Sequence, residues 1–254
     1  GQLDAAYVGP NPAINAWQKS GGTAIKVVSG AATGGASLVV KGGITSAAQL
    51  KGQTLATPSI GNTQDVALRY WLKQNGLSTS TTGGGDVFVK PTTPNSAAVL
   101  QFKSGQIAGG SEPAPYDVEM VKDGGTVLLS ETGVTTLLVV SQSFLTAHPD
   151  LVADLVKAQV KANDFIKASP AAAEADANAE LTSYTGKPLK ASIIAASFKE
   201  ITFTDDPDAA SLISDAANAT ALGLLKPLSH NGLFDLDPLN SALSAAGEPA
   251  VQGA

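Results

Sequence analysis

The sequence contains no cysteine, which removes disulfides, thiolate metal sites, iron–sulfur clusters and cysteine nucleophiles together. Arginine occurs once, at Arg69, and no lysine cluster accompanies it, so the counterion-displacing surface of a nucleic-acid binder is missing. Histidine occurs twice, and neither His148 nor His230 has a ligand or nucleophile at motif spacing, so both read as surface turn residues. No G-x-S-x-G elbow, Walker A loop or H-E-x-x-H helix occurs. Charged residues make up only 15% of the chain, against about 25% in an ordinary soluble domain. Apolar runs such as Leu137 to Val140 fall far short of a membrane span. There is also no initiating Met and no charged-then-apolar leader, so a signal or anchor segment is expected to lie outside this sequence.

What is present is a chain of 254 residues, 43% apolar, with a net charge of -6. That length suits one large or two small domains. A pattern occurs twice. Gly1 to Ala6, then Gly9-Pro10-Asn11-Pro12, an amphipathic stretch through Trp17, Gly21-Gly22-Thr23 and the apolar segment Ile25 to Val28 form the first copy. Gly105 to Gly110, then Glu112-Pro113-Ala114-Pro115, a stretch through Val121, Gly124-Gly125-Thr126 and Val127 to Leu129 form the second. Each copy has the order strand, Pro-rich turn, helix, glycine stop, strand, which is a βαβ unit. Two similar α/β lobes follow.

Between the copies, strands are expected at Thr54 to Thr57 and Val87 to Val89, and helices at Gln64 to Asn75 and Asn95 to Lys103. This alternation is that of a doubly wound parallel sheet. Ser37 to Lys41 and Val134 to Ser141 bracket the block and are expected to be the crossover strands, paired with each other. From Pro149 the chain reads as helical, with Leu151, Leu155, Ala158, Ala162 and Phe165 on one buried face. Further helices are expected to open at Ser169-Pro170, Asp206-Pro207 and Asp237-Pro238, and Gly186, Gly223 and Gly247 supply stops. The acidic run Asp205 to Asp208 reads as helix capping, with a surface calcium site as the other reading.

In an open α/β sheet the strand-to-helix turns at the carboxyl edge form the ligand crevice. Here those turns are Gly9 to Pro12, Ser59 to Thr63 and Ser111 to Pro115. Helix N-termini there offer unpaired N–H groups and hold an anion without arginine. Arg69, in the middle of its helix, is poorly placed to be the anchor. Gly61-Asn62-Thr63 is either a plain N-cap or such an anion site. Glu112, a carboxylate beside apolar strand residues, either ties the lobes or the turn together or faces a cationic or hydroxyl part of a ligand.

In their order along the chain these segments resemble the substrate-binding proteins of ABC importers, in the sulfonate, taurine and nitrate group. The similar stretches are Gly1-Gln2-Leu3-Asp4-Ala5-Ala6-Tyr7-Val8-Gly9, Leu50-Lys51-Gly52-Gln53, Gly61-Asn62-Thr63, Glu112-Pro113, Ile201 to Pro207, and Gly232 to Leu236 with Leu239-Asn240. The resemblance implies a bilobal, periplasmic-binding-protein-like (type II) α/β fold with two doubly wound sheets joined by two crossover strands. Lobe 1 would comprise residues 1–38 and 141–254, and lobe 2 residues 39–140. Family members carry further βα units ahead of the first of these strands, and the second copy of the repeat is preceded by Lys51 to Ser104 while the first has no counterpart. The expectation is therefore a first lobe lacking roughly two N-terminal βα units.

The resemblance further implies ligand contacts at Asn11, Gly35, Asn62, Thr63 and Glu112, a small oxyanion such as an organosulfonate as ligand, and a membrane permease as partner. It implies no catalysis, cofactor or metal, and an exported monomer, lipid-anchored through a segment not present here. Two rivals share the fold. One is an enzyme related to thiamine-pyrimidine synthases, which use a cysteine-rich motif that this chain lacks. The other is the ligand-sensing domain of a transcription regulator, disfavoured by the helical C-terminal extension and the absence of a DNA-binding region.

Overall fold

Glycine stops and proline starts divide the chain much as its sequence dictates. In the computed structural model, which describes residues 2–227 and 229–253, the first repeat forms β1 (Ala5–Val8), α1 (Pro10–Lys19) and β2 (Ile25–Gly34). Gly1 of the first motif lies outside the described residues. Then come β3 (Ala36–Lys41), β4 (Thr54–Thr57), α2 (Thr63–Gln74), β5 (Phe88–Pro91) and α3 (Asn95–Lys103). The second repeat is β6 (Gly109–Pro113), α4 (Tyr116–Lys122) and β7 (Gly125–Ser130). There follow β8 (Val134–Ser141), α5 (Gln142–Ala147), α6 (Pro149–Ala168), α7 (Pro170–Thr185), α8 (Ala191–Glu200), β9 (Ile201–Phe203), α9 (Ala209–Ala221) and α10 (Asp237–Ala246).

The strands form two sheets, ordered β1-β8-β2-β9 in lobe 1 and β5-β4-β6-β3-β7 in lobe 2. In each repeat one antiparallel strand sits between the two strands of the βαβ unit: β8 between β1 and β2, and β3 between β6 and β7. Each inserted strand is the chain's continuation from the other repeat. The lobes thus exchange strands reciprocally. Apolar side chains cover both faces of both sheets. Leu137 and Val139 of β8 meet α1 and α9, while Leu138 and Val140 meet α6 and α10. Leu38, Val40 and Leu55 meet α2, while Val39 and Ala56 meet α3 and α4. Burial on both faces explains why these strands are apolar at consecutive positions.

The crossovers lie at Gly34–Gly35 and Glu131–Gly133. Gly34 donates to the carbonyl of Gly133 at 3.0 Å, and Glu131 to that of Ala36 at 2.9 Å, so the passages run side by side. Ser37 to Lys41 and Val134 to Ser141 do not pair with each other as expected; β3 and β8 belong to different sheets. The sheets change ownership at 34–36 and 130–134 rather than at 38/39 and 140/141. The reason is the glycine pair, whose φ values of 67° and 68° bend the continuous β2–β3 strand out of one sheet and into the other.

Three further expectations are corrected. The buried face of α6 is Val152, Val156, Gln159, Val160 and Asn163, while Leu151 and Phe165 are exposed. Two polar residues sit on that face because Gln159 accepts from the Tyr7 hydroxyl at 2.5 Å and Asn163 donates to Asp205 at 2.7 Å. The helix expected at Asp206-Pro207 starts later, with Asp208 as N-cap accepting from Ser211 N–H at 3.1 Å. The region after Pro149 also contains a strand, β9, at the free edge of β2.

A Cβ built on Gly35 would lie 2.4 Å from Ile201 Cγ1, whereas one on Gly76, with φ +74°, meets nothing within 4 Å. Gly76→Ala is expected to cost only the left-handed conformational term of about 1 kcal/mol. Gly35→Ala adds overpacking, at least about 1 kcal/mol more; urea unfolding of the two variants measures the difference.

Candidate ligand-binding site

The two lobes meet along α1, α2 and α9. Val66 of α2 packs into the lobe 1 apolar cluster with Ile14, Leu212 and Ala216, and Lys73 Nζ donates to the Ala221 carbonyl at 2.6 Å. Beside this contact lies a cleft of about 260 Å³ that draws its walls from both lobes and the hinge. Gly9, Pro12, Thr135, Thr136 and Ile201 come from lobe 1, Asn62, Thr63, Gln64, Pro113 and Ala114 from lobe 2, and Gly34 and Gly35 from the hinge. All three turns anticipated from sequence converge here. They meet because the reciprocal exchange sets the carboxyl ends of β1 and β6 on the same side of the hinge, and β4 runs parallel beside β6.

The start of α2 is built by one carboxylate. Asp65 Oδ1 accepts from the Thr57 hydroxyl at 3.0 Å, and Oδ2 accepts from Gly61 N–H and Arg69 Nε, each at 2.9 Å. Arg69 also donates to the carbonyls of Ser80 and Val89 at 3.1 and 3.3 Å. Both side chains are buried, so the lone arginine serves the scaffold and does not line the cleft. Asn62 is the N-cap: its Oδ1 accepts from Asp65 N–H at 2.9 Å while its amide donates to Gln64 Oε1 at 3.0 Å. The N–H groups of Thr63 and Gln64 lie in the first helical turn, where no intrahelical partner exists. The Thr63 hydroxyl is buried and has no hydrogen-bond partner. It approaches lobe 1 so closely that a Cβ on Gly9 would lie 2.5 Å from it.

Of the residues anticipated from sequence, Gly35, Asn62 and Thr63 line the cleft together. Asn11 and Glu112 lie behind its walls. Asn11 is buried in α1 and donates to the Asp215 carbonyl of α9 at 3.4 Å. Glu112 is fully buried in β6, opposite Ser37 of β3, with neither carboxyl oxygen partnered. Burial, with the Asp117 charge adding, pushes its pKa up to about 8. Three more carboxylates shift the same way. Asp117 is raised to about 7 by burial and by Glu200. Glu131 is raised to about 8 by burial, Asp215 and Asp117, and Asp215 to about 7 by burial and Asp208. Sequence reasoning missed Thr135 and Thr136, which only the strand exchange brings to the cleft, and the burial of these three acids, which nothing local marks. Among the described residues no group of three or more His, Asp or Glu is arranged to hold a metal ion. None of their helices is long and apolar enough to cross a membrane.

The NMT1-like family matches residues 1–182. No curated protein matches the chain in sequence. Among solved structures, the chain is similar to the ligand-binding component of an ABC-type import system from Staphylococcus aureus, solved with zinc bound (15% identity, TM-score 0.75, covering 95% of this chain and 81% of that one). It is also similar to the alkanesulfonate-binding protein of Xanthomonas axonopodis pv. citri bound to MOPS (19%, TM-score 0.70, 89% and 78%). A third is the periplasmic nitrate-binding protein of Synechocystis PCC 6803 (14%, TM-score 0.74, 98% and 76%). These likenesses establish the bilobal periplasmic-binding-protein-like fold.

Two outcomes are expected at this site. Arg69→Gln leaves the Asp65 carboxylate buried without its cation and is expected to cost about 3–5 kcal/mol. Adding Asp65→Asn should recover part of that loss in urea titrations. Glu112 binds its proton more tightly folded than unfolded, so its stabilising contribution is complete below the ordinary glutamate pKa. It is lost as pH rises through about 8. Glu112→Gln should flatten this fall in a pH series of thermal unfolding.

Proposed function

We propose that this chain, which belongs to the NMT1-like family, is the solute-binding component of an ABC import system. It captures a small oxyanion, foremost an organosulfonate, between its lobes and delivers it to a membrane permease from the extracytoplasmic side. It works as a monomer and performs no chemistry. The observation that carries the reading is the buried, unpartnered Thr63 hydroxyl at the N-terminus of α2, set in a cleft that draws on both lobes. A sulfonate spreads one charge over three oxygens, and the first N–H groups of α2 with the Thr63 hydroxyl offer several donors without a cationic side chain. The cleft volume of about 260 Å³ suits a solute smaller than a drug-sized ligand. The neighbours named for alkanesulfonate and nitrate support the same ligand class.

In this reading Thr63, Asn62 and the backbone at Gly35 touch the anion. Asn11 braces α1 against α9, and Glu112 stands behind Pro113 and Ala114. Hydrogen bonds to a charged group contribute about 1.5–3 kcal/mol, so Thr63→Val should weaken binding roughly tenfold to a hundredfold. Calorimetry with methanesulfonate, ethanesulfonate, sulfate and nitrate tests this. Binding of none of the four, or an unchanged affinity in Thr63→Val, would overturn the reading.

A further inference from the structure

Gly35 can touch a solute only through its Cα, because its N–H donates to the Glu200 carbonyl at 2.8 Å and its carbonyl accepts from Ala114 N–H at 2.9 Å. The Ile201 side chain lies over that Cα. A Cβ on Gly35 would meet Ile201 Cγ1 at 2.4 Å and Cδ1 at 3.4 Å, so Ile201 fills the room that a side chain at position 35 would take. It is only partly buried and lines the cleft. Its backbone is pinned. Ile201 stands in register with Gly34 in the β2–β9 pair, directly after Glu200, and the rings of Phe198 and Phe203 on either side of it in the chain pack at 5.3 Å. A β-branched side chain on a backbone so held has few rotamers to retreat into.

We propose, resting on the sulfonate reading above, that Ile201 gauges the length of the solute's tail, so that the cleft takes a short alkyl sulfonate and turns away longer ones. The cleft changes chemistry from one part to the other. Where the anionic head would sit, the Thr63 hydroxyl approaches Gly9, and a Cβ there would also meet the Thr135 carbonyl and Pro12 Cδ at 3.5 and 3.6 Å. Thr135 leads from that end to the hinge, where its hydroxyl donates to the Gly34 carbonyl at 2.7 Å and the Ala32 carbonyl at 3.3 Å. With that proton committed, the hinge end presents the Gly35 Cα, Pro113, Ala114 and Ile201. These offer carbon to a tail and no donor to replace its water. Among the described residues lining the cleft none carries a charged or aromatic side chain, which leaves apolar contact and shape to select the tail. Glycine and alanine have nothing to extend into the space and the proline ring is fixed, so Ile201 carries the longest side chain at this end and acts as its stop.

Calorimetry with the unbranched series from methanesulfonate to hexanesulfonate, in buffers free of other sulfonates, tests this. In wild type each CH2 that is buried should tighten binding about fourfold. Once the chain meets Ile201, affinity should fall at least about fivefold. In Ile201→Ala the ratio of hexanesulfonate to ethanesulfonate affinity should rise about tenfold or more, as two further CH2 groups find room. Ile201→Val should shift the ratio less and in the same direction, and it carries the comparison should Ile201→Ala fail to fold, with far-ultraviolet circular dichroism reporting folding. A wild-type affinity that stays level or keeps rising through hexanesulfonate would overturn the proposal and leave the sulfonate reading in place. So would a ratio unmoved in the folded variants. Binding of no sulfonate at all would overturn that reading and the proposal with it.

Discussion

The reciprocal exchange of β3 and β8 is the constraint on which the rest of the molecule depends. A strand hydrogen-bonded on both sides cannot leave its sheet without exposing two ladders of backbone groups, so each lobe is held by a strand supplied from the other. The lobes are then free to move only where the chain passes between sheets. Those passages are short, adjacent and mutually hydrogen-bonded at Gly34 and Gly133 and at Glu131 and Ala36. Hinge position follows from topology, and the conformation that topology demands there explains the glycine pair.

The same geometry fixes the electrostatics of the cleft. Because the strand ends converge at the hinge, the first turn of α2, the hinge glycines and the turn after Glu112 become neighbours although they are far apart in the chain. The available positive potential is the partial charge of helix N-termini, and the molecule protects it. Arg69 is spent on Asp65, whose carboxylate in turn fixes the turn at Gly61. A buried Asp65 carboxylate without that cation would leave an uncompensated charge at the start of α2, where the proposed anion would sit.

Much of this was legible in the sequence, for reasons that can be stated. The doubled strand–Pro turn–helix–glycine pattern revealed both βαβ units, because each glycine and proline there does a local backbone job that needs no tertiary partner. The α2 start was legible because Asn62 caps the helix it begins. The strand pairing was not, since consecutive apolar residues show that β3 and β8 are buried on both faces without showing which strands flank them. Nor was the buried face of α6, where Gln159 and Asn163 face inward to partners more than 40 positions away. Glu112 stood out as a buried carboxylate, but Asp117, whose charge bears on it, and Glu131 on the return crossover look like ordinary surface acids until the fold buries them.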